Sequence, residues 1–351
     1  MLNMLKPLIK TSISRVDWLH KQYRYNSQAE NALKIIELEK GKIDPQCRKS
    51  AEEYARDVLG WKGFAPWLKT YSAVAGKFKE GWIPFNYYMG IVRPRILLPV
   101  SQEKTLASKL LNMNNFPDVA YYISGLFFDS AWEVLSPEKL KGYIFDFNNK
   151  IVYKQSNTTM GMGIHIFTQE TFSLDAIYKM GNGIFQKYIQ QHIFFEEIMS
   201  GSLATLRLNS VVESGGKISC RSAILKIGRT GDSCVSPTSS INVPVDLVSG
   251  ELHEKGYYLN WSSAYQHPDT KIGFKGKIIP KFNECIAYVI KLHKSIPFNR
   301  AVGWDITVDK NEKVQFIEWE EPSTQFAEAA QGPCFADMGW EKIRNHWVFN
   351  D

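Results

Sequence analysis

The chain has 351 residues, with 44% hydrophobic and 13% aromatic residues and a formal charge of +6. That length and composition fit two or three lobes with true cores and exclude a disordered chain, and the charge suits an anionic ligand but is too weak to argue for nucleic acid. Five cysteines (Cys47, Cys220, Cys234, Cys285 and Cys334) are odd in number and never spaced CxxC, which argues against a disulfide framework or zinc site and for a reducing compartment.

The start, MLNMLKPLIK, carries no apolar run of signal-peptide length, because Lys6, Pro7 and Lys10 interrupt it. No stretch approaches bilayer-spanning length, so a cytoplasmic protein is expected. Lys6, Lys10, Arg15, Lys21 and Arg24 interleave with Leu5, Leu8, Ile9, Ile13, Val16, Trp18 and Leu19. The favoured reading is a helix packed on its own domain, the alternative a helix lying on the inner membrane surface. Helical runs follow over residues 26–60, broken at Gly41 and ending at Gly60 after Ala51–Leu59. From Trp61 to Pro94 the aromatic-rich, Gly- and Pro-punctuated stretch predicts loops and short strands. Ile96–Val100, Glu103–Met113 and Ala120–Ile123 alternate as in an α/β lobe. Strands are expected at Tyr143–Phe147, Ile151–Gln155 and Gly163–Phe167, then a helix at Leu174–Met180 and an apolar run from Gly183 to Ile189. Beyond residue 195 the pattern is mainly strand-like, with a helix at Phe282–Ser295.

Two segments carry chemistry. Lys154 closes one alternating run, residues 157–163 read Asn-Thr-Thr-Met-Gly-Met-Gly, and a second alternating run begins at Gly163. Glycines and small hydroxylated residues let backbone N–H groups face phosphate oxygens. A dinucleotide or P-loop glycine run leads into a helix, whereas this one lies between strands like a flap. An ordinary hairpin turn with a solvated lysine fits the same residues.

The second segment is AVGWDITVDKNEKVQFIEWEE, residues 301–321. Val302, Trp304, Ile306 and Val308 alternate with Gly303, Asp305 and Thr307 as in a half-buried strand. Residues 309–313 supply turn chemistry. Ile317 and Trp319 are expected on one face of the returning strand, and Phe316, Glu318 and Glu320 on the other. A hairpin symmetric about Asn311–Glu312 sets Asp305 opposite Glu318, with Glu320 on the same face. Carboxylates so close repel unless a divalent cation or neighbouring Lys and Arg side chains neutralise them. Candidate cations are Arg207, within a strand-like run, and the pair in Lys226-Ile227-Gly228-Arg229. An arginine fork there suits a transferring phosphoryl group. None of the seven histidines falls at a metal-ligand spacing.

This order of lysine, glycine-rich flap, hinge strand, arginine and late acidic hairpin resembles the ATP-grasp superfamily. The most specific likeness is to its sugar-transfer-associated branch, through Gly303-Trp304-Asp305, Ile317-Glu318-Trp319-Glu320, Thr205-Leu206-Arg207, Ile227-Gly228-Arg229, Val243-Pro244-Val245-Asp246 and His267-Pro268. The resemblance implies an α+β ATP-grasp fold: two α/β lobes enclosing a nucleotide cleft, after a helical N-terminal region. Expected domains are 1–100, 101–189 with the flap, and 190–351 with a metal site. ATP and Mg2+ are the implied cofactors. Lys104, Lys154, Thr158, Thr159, Met160, Gly161, Met162 and Gly163 would hold the nucleotide phosphates, and Gln186, Lys187 and Ile189 its base and ribose. Arg207, Lys154 and Arg229 would be catalytic, and Asp305, Glu318 and Glu320 would ligate magnesium. The implied reaction joins a small-molecule carboxylate to an amine through an acyl-phosphate, with an amino acid and a uronic-type sugar or glycan as the expected pair. A kinase stopping at phosphoryl transfer and a non-catalytic nucleotide-binding scaffold are the alternatives. Glu320 stands where many relatives have Asn. The loop after Arg229 also departs from them, so the acceptor is not carried over.

Overall fold

The computed structural model describes residues 2–94, 97–112, 116–146, 149–158, 161–232, 235 and 238–343, excluding the side chains of residues 2–14 and of Leu98. The chain forms two compact units.

The first unit gathers the residues up to Pro94, Asn260–Ser263 and the tail from Ser323. A single helix, Leu2–Lys40, is followed by a helix at Pro45–Asp57 whose first turn is capped by the Asp44 carboxylate. Gly41, at φ +87°, ends the first helix in the left-handed region that glycine adopts without strain. The basic and apolar side chains at residues 5–13 lie outside the described ones. Beyond them Val16 and Leu19 are exposed, while the Trp18 ring meets that of Trp61.

The aromatic stretch from Trp61 to Pro94, expected as loops and short strands, forms no strand: it is mainly helical, with turns and loop over residues 76–84. It contains a 3-10 turn at Lys62–Phe64, a helix at Ala65–Ala75, a short turn at Phe85–Tyr87 and a π-turn at Tyr88–Val92. Phe64, Trp67, Leu68, Tyr71 and Val74 recur at helical spacing, and all are buried. Pro66 sits in the first turn, where a missing N–H costs nothing, and Gly76 closes the helix at φ +75°. The punctuation was therefore a helix start and stop.

The second unit, residues 95–259 and 264–322, holds two antiparallel sheets. The first contains β1 (Asp118–Ile123), β2 (Leu126–Asp129), β3 (Val134–Leu135), β4 (Lys150–Gln155), β5 (Ile164–Thr168) and β6 (Gly183–Lys187), in the order β3-β2-β1-β6-β4-β5. Leu97–Gln102 and Pro137–Phe145 are helices, which corrects the strand-like readings of Ile96–Val100 and Tyr143–Phe147. Short apolar runs do not tell a buried strand from one buried helical turn. The helix Leu174–Met180 forms as expected. One face of this sheet buries Ala120, Tyr122, Ile151, Tyr153 and Phe185 against the helices at Pro137–Phe145 and Leu174–Met180. Alternation turns Val152, Lys154, Ile184 and Gln186 to the other face.

The second sheet contains β7 (Thr205–Val212), β8 (Ile218–Ile227), β9 (Ile241–Pro244), β10 (Gly256–Tyr258), β11 (Ser263–Ala264), β12 (Ala301–Val308) and β13 (Val314–Glu320), in the order β11-β10-β9-β8-β7-β12-β13. The helix Phe282–His293 covers it, with Phe282, Cys285, Val289 and Leu292 meeting Trp304 and Trp319 in one core. Strand β12 lies between β7 and β13 and all eight of its residues are buried, not the half expected.

The hairpin β12–β13 pairs Asp305 with Glu318 and Gly303 with Glu320, as the sequence predicts. The route differs. Nearer the turn Val308 faces Val314 and Ile306 faces Phe316, and the register shifts between Ile306 and Asp305, leaving Ile317 as an extra residue. This bulge puts Phe316 on the core side with Trp319, so Phe316 does not share the carboxylate face.

Trp304 is fully buried and its Nε1–H donates to Ser210 Oγ at 2.7 Å. Trp304→Ala is expected to lower unfolding free energy by about 3–5 kcal/mol, by cavity formation and the loss of that bond, as measured by urea denaturation.

Candidate active site

The site grows from one cross-strand pair. Arg207 on β7 and Asp305 on β12 are directly opposed, and Glu318 faces Asp305 from the next strand. Arg207 grips Asp305 in a two-pronged pair, Nε–H to Oδ1 at 2.6 Å and Nη2–H to Oδ2 at 2.6 Å. Nη2 also donates to Glu320 Oε1, and Nη1 reaches the Glu321 carbonyl at 3.5 Å. The side chains of Arg207 and Asp305 are 3% and 5% exposed, so neither ion has water to fall back on. Lys226, near the end of β8, adds its Nζ at 3.3 Å from Asp305 Oδ2.

The three carboxylates are not equivalent. Burial works against charge on Asp305, but Arg207 and Lys226 override it and hold the group low, at about 2. Glu318 has no hydrogen-bond donor among the described residues. Burial, and then the charges of Asp305 and Glu320, push it above the ordinary carboxylate range. Glu320 is half-exposed and paired with Arg207.

From the first sheet, Lys154 points at this cluster. It is 9% exposed and its Nζ donates to the Ile317 carbonyl at 3.1 Å, which ties β4 to the bulge of β13. Burial lowers its pKa, against the opposing pull of Glu318 and Asp118. Lys104 stands at the root of the flap. Its Nζ donates to the carbonyls of Gln155 at 3.1 Å and Thr158 at 2.6 Å, and Glu318 and Glu320 oppose the effect of burial on its charge. Glu103 completes the clasp, accepting from Ser156 Oγ at 2.6 Å and Asn157 Nδ2 at 3.2 Å.

In the flap, Gly161 and Gly163 take φ of +74° and +73°, which a side chain would strain, and Met162 is exposed. Thr159 and Met160 lie outside the described residues. Gln186, on β6, shares the face of Lys154. Lys187 is exposed on the opposite face, its backbone N–H bonded to Pro117 O at 2.8 Å, and Ile189 is half-buried just past the strand.

Arg229 stands apart. Its guanidinium is bidentate on Asp269, at 2.9 and 2.6 Å, and it has no bond to the three carboxylates. Lys226 is the cation of that segment that joins the cluster, because it faces Thr205, two residues from Arg207 on β7. Sequence reading named the segment but could not see that long-range register. Glu103 and Asp118 were missed as well, having no signal except their neighbours in space.

Among the described residues, no three His, Cys, Asp or Glu side chains form a metal cage by themselves. The donor set nonetheless fits magnesium. Glu318 offers hard oxygens with no competing donor among the described residues and is raised by burial and then by like charge, and magnesium is usually held by one or two carboxylates plus substrate phosphates.

The profile of a family described as sugar-transfer associated ATP-grasp matches residues 86–338, well over half of the chain. This chain belongs to that family. Among solved structures it is similar to biotin carboxylase from Campylobacter jejuni (13% identity, 70% of this chain, 47% of that chain, TM-score 0.45). It is also similar to an N5-carboxyaminoimidazole synthetase from Staphylococcus aureus (13%, 68% and 50%, 0.42) and an L-amino acid ligase from Bacillus licheniformis (9%, 79% and 53%, 0.40). The chain spans about half the length of these proteins, and backbone likeness at this level carries no functional argument. No curated protein matches.

Two outcomes follow for the family member without nucleotide. Arg207→Met should cost about 3–5 kcal/mol in urea unfolding, because Asp305 is left buried and largely unpaired, whereas Arg207→Met with Asp305→Leu should recover most of that loss. Glu318, whose folded pKa is raised, binds its proton more tightly in the folded state, so its contribution falls as pH rises from about 4.5. Glu318→Gln should therefore raise the thermal midpoint at pH 7.5 more than at pH 5. Asp305, held at about 2, contributes stability above pH about 4 that is lost toward pH 2 in both proteins.

Proposed function

We propose that this protein is an ATP-dependent carboxylate–amine ligase working through an acyl-phosphate. One observation carries the reading: Asp305, Glu318 and Glu320 converge with Arg207, Lys154 and Lys104 at the root of a glycine-rich hairpin. Three acids and two bases on strands, with Lys104 on an adjoining 3-10 turn, suit a polyphosphate, its counter-ion and a second anion.

In this reading Thr158, Thr159, Met160, Gly161, Met162 and Gly163 give the phosphates backbone donors, and Lys154 and Lys104 balance their charge. Gln186, Lys187 and Ile189 border the base and ribose. Magnesium, held by Glu318 and Glu320 with Asp305 beside them, would supply Lewis-acid charge on the phosphate oxygens. A carboxylate oxygen attacks the γ-phosphorus, the bond to the β,γ-bridging oxygen breaks, and ADP departs with that electron pair. Arg207 keeps Asp305 ionised and fixed, and its Nη1, whose bond to the Glu321 carbonyl is the longest at 3.5 Å, is the donor with capacity left for the acyl-phosphate. An amine then attacks the acyl carbon, loses a proton and expels phosphate, leaving an amide. The flap would exclude the water that otherwise hydrolyses the intermediate.

The family's description supports a sugar-linked substrate. An amino acid joined to a uronic-type sugar or glycan, in cytoplasmic steps of surface-polysaccharide assembly, is the substrate class we propose. Arg229, fixed by Asp269, would act at the edge of the acceptor pocket and not on the phosphates. One observation favours a second reading, a nucleotide-binding scaffold: Arg207 of the chain itself already pairs with both Asp305 and Glu320.

Incubation with ATP, magnesium and a matrix of amino acids and sugar acids should release ADP and phosphate and yield a product with the mass of an amide. Glu318→Gln should reduce that turnover by about 100-fold or more. Phosphorylated acid accumulating without amine would indicate a kinase. Nucleotide binding with no turnover for any pair would favour the scaffold.

A further inference from the structure

On the flap-side face of the first sheet lies a half-buried carboxylate that the mechanism above does not use. Asp118 opens β1 directly opposite Gln186 of β6. A register shift between Asp118 and Ala120 brings Asp118 onto the face it shares with Tyr121. Gln186 is 5% exposed, and its Nε2 donates to Asp118 Oδ1 at 2.8 Å. Tyr121 donates its hydroxyl hydrogen to Asp118 Oδ2 at 3.1 Å, and Ser108 Oγ lies 2.9 Å from that hydroxyl. The Tyr121 ring is itself clamped, stacked on Trp132 at 4.4 Å with Lys109 Nζ 4.4 Å above the Trp132 ring.

This chain of bonds has a direction. An ionised carboxylate only accepts, so the NH2 of Gln186 must turn toward Asp118, and the amide cannot flip without losing that bond. Its carbonyl oxygen then faces the other way, and no donor among the described residues reaches it. Burial raises the pKa of Asp118, and the hydrogen bonds of Gln186, Tyr121 and Ser108, then the charge of Lys154, oppose that rise in favour of the ionised form. A nearly buried amide with a fixed, unpaired acceptor is a selective group: it welcomes an amino hydrogen and repels a carbonyl oxygen.

We propose that Asp118 is a positioning residue that makes the cleft select adenine over guanine nucleotides, by fixing the Gln186 carbonyl as an acceptor for the exocyclic amine of the base. The inference rests on the nucleotide reading of this cleft and deepens it. Guanine presents a carbonyl at the corresponding position, and two facing acceptors leave a desolvated oxygen unpaired, which costs more than a missing contact. Asp118→Asn removes the constraint, since an asparagine amide can offer either end and lets Gln186 turn.

The test is calorimetric titration of the full chain with MgADP and MgGDP. The wild type should bind MgADP at least about 10-fold more tightly than MgGDP, a factor in the range of one neutral hydrogen bond. Asp118→Asn should weaken MgADP by about 10-fold, leave MgGDP unchanged or tighter, and bring the ratio toward one. Gln186→Leu, which deletes the acceptor, should lose MgADP selectively as well, and Tyr121→Phe should move the ratio the same way by less. Near-UV circular dichroism identifies any variant that fails to fold, in which case the other two decide. Equal weakening of both nucleotides in the folded variants, or an unchanged ratio, overturns the role of Asp118. A wild type that binds both nucleotides equally overturns base selection while leaving the ligase reading in place. A wild type that binds neither overturns both.

Discussion

The buried pair of Arg207 and Asp305 is the constraint on which the rest of the site depends. Two ions withdrawn from water are tolerable only with close geometry and with their remaining hydrogen-bonding capacity satisfied. The two strands provide that geometry by direct register opposition, although the residues are 98 positions apart in the chain. Once Asp305 is fixed and ionised, its neighbours inherit their properties. Glu318 sits across the ladder from a permanent negative charge and is pushed up, and Glu320 shares the Arg207 fork. Lys226 is drawn in from β8. The cluster is unevenly balanced: Asp305 and Glu320 share the Arg207 fork, whereas Glu318 has no hydrogen-bond donor among the described residues.

The same pair constrains the first sheet. Lys154 is almost wholly buried, and a buried ammonium needs both an acceptor and an opposite charge. It finds the acceptor in the Ile317 carbonyl and the charge in Glu318 and Asp118. The flap hairpin is thus anchored to the acidic hairpin through a single side chain, and a second time at its root by the Lys104 and Glu103 clasp on residues 155–158. Chemistry and architecture use the same cations.

Much of this was legible because it is local. The acidic hairpin announced itself by alternation and turn residues, and the flap by glycines between two alternating runs. What escaped was of two kinds. The aromatic stretch after Trp61 hid a helical repeat, since Pro66 and Gly76 resemble loop punctuation unless read as the start and stop of a helix. The partnerships of Lys226, Asp118 and Glu103 depend on strand order and register over long separations, which no local pattern encodes. Arg229 looked equivalent to its neighbour Lys226 in sequence, but Lys226 lies within β8 opposite Thr205, whereas Arg229 lies past the strand and pairs with Asp269. The opposition of Asp305 and Glu318 was anticipated from a symmetric turn, but it is the extra residue Ile317 that makes it true.

That extra residue acts as a phase corrector. On the turn side of it, β13 presents Phe316 inward. On the far side, Trp319 takes the inward slot and the two glutamates turn outward. Deleting Ile317 would erase the bulge and leave Glu318 still opposite Asp305 on the outward face, but would withdraw the carbonyl that receives Lys154. Lengthening the turn by one residue would disturb only the outer end of the hairpin, provided the dislocation stays where it is. Among chains built on this plan, loop length at residues 309–313 should thus be free to drift, while the spacing between the dislocation and the acids should not.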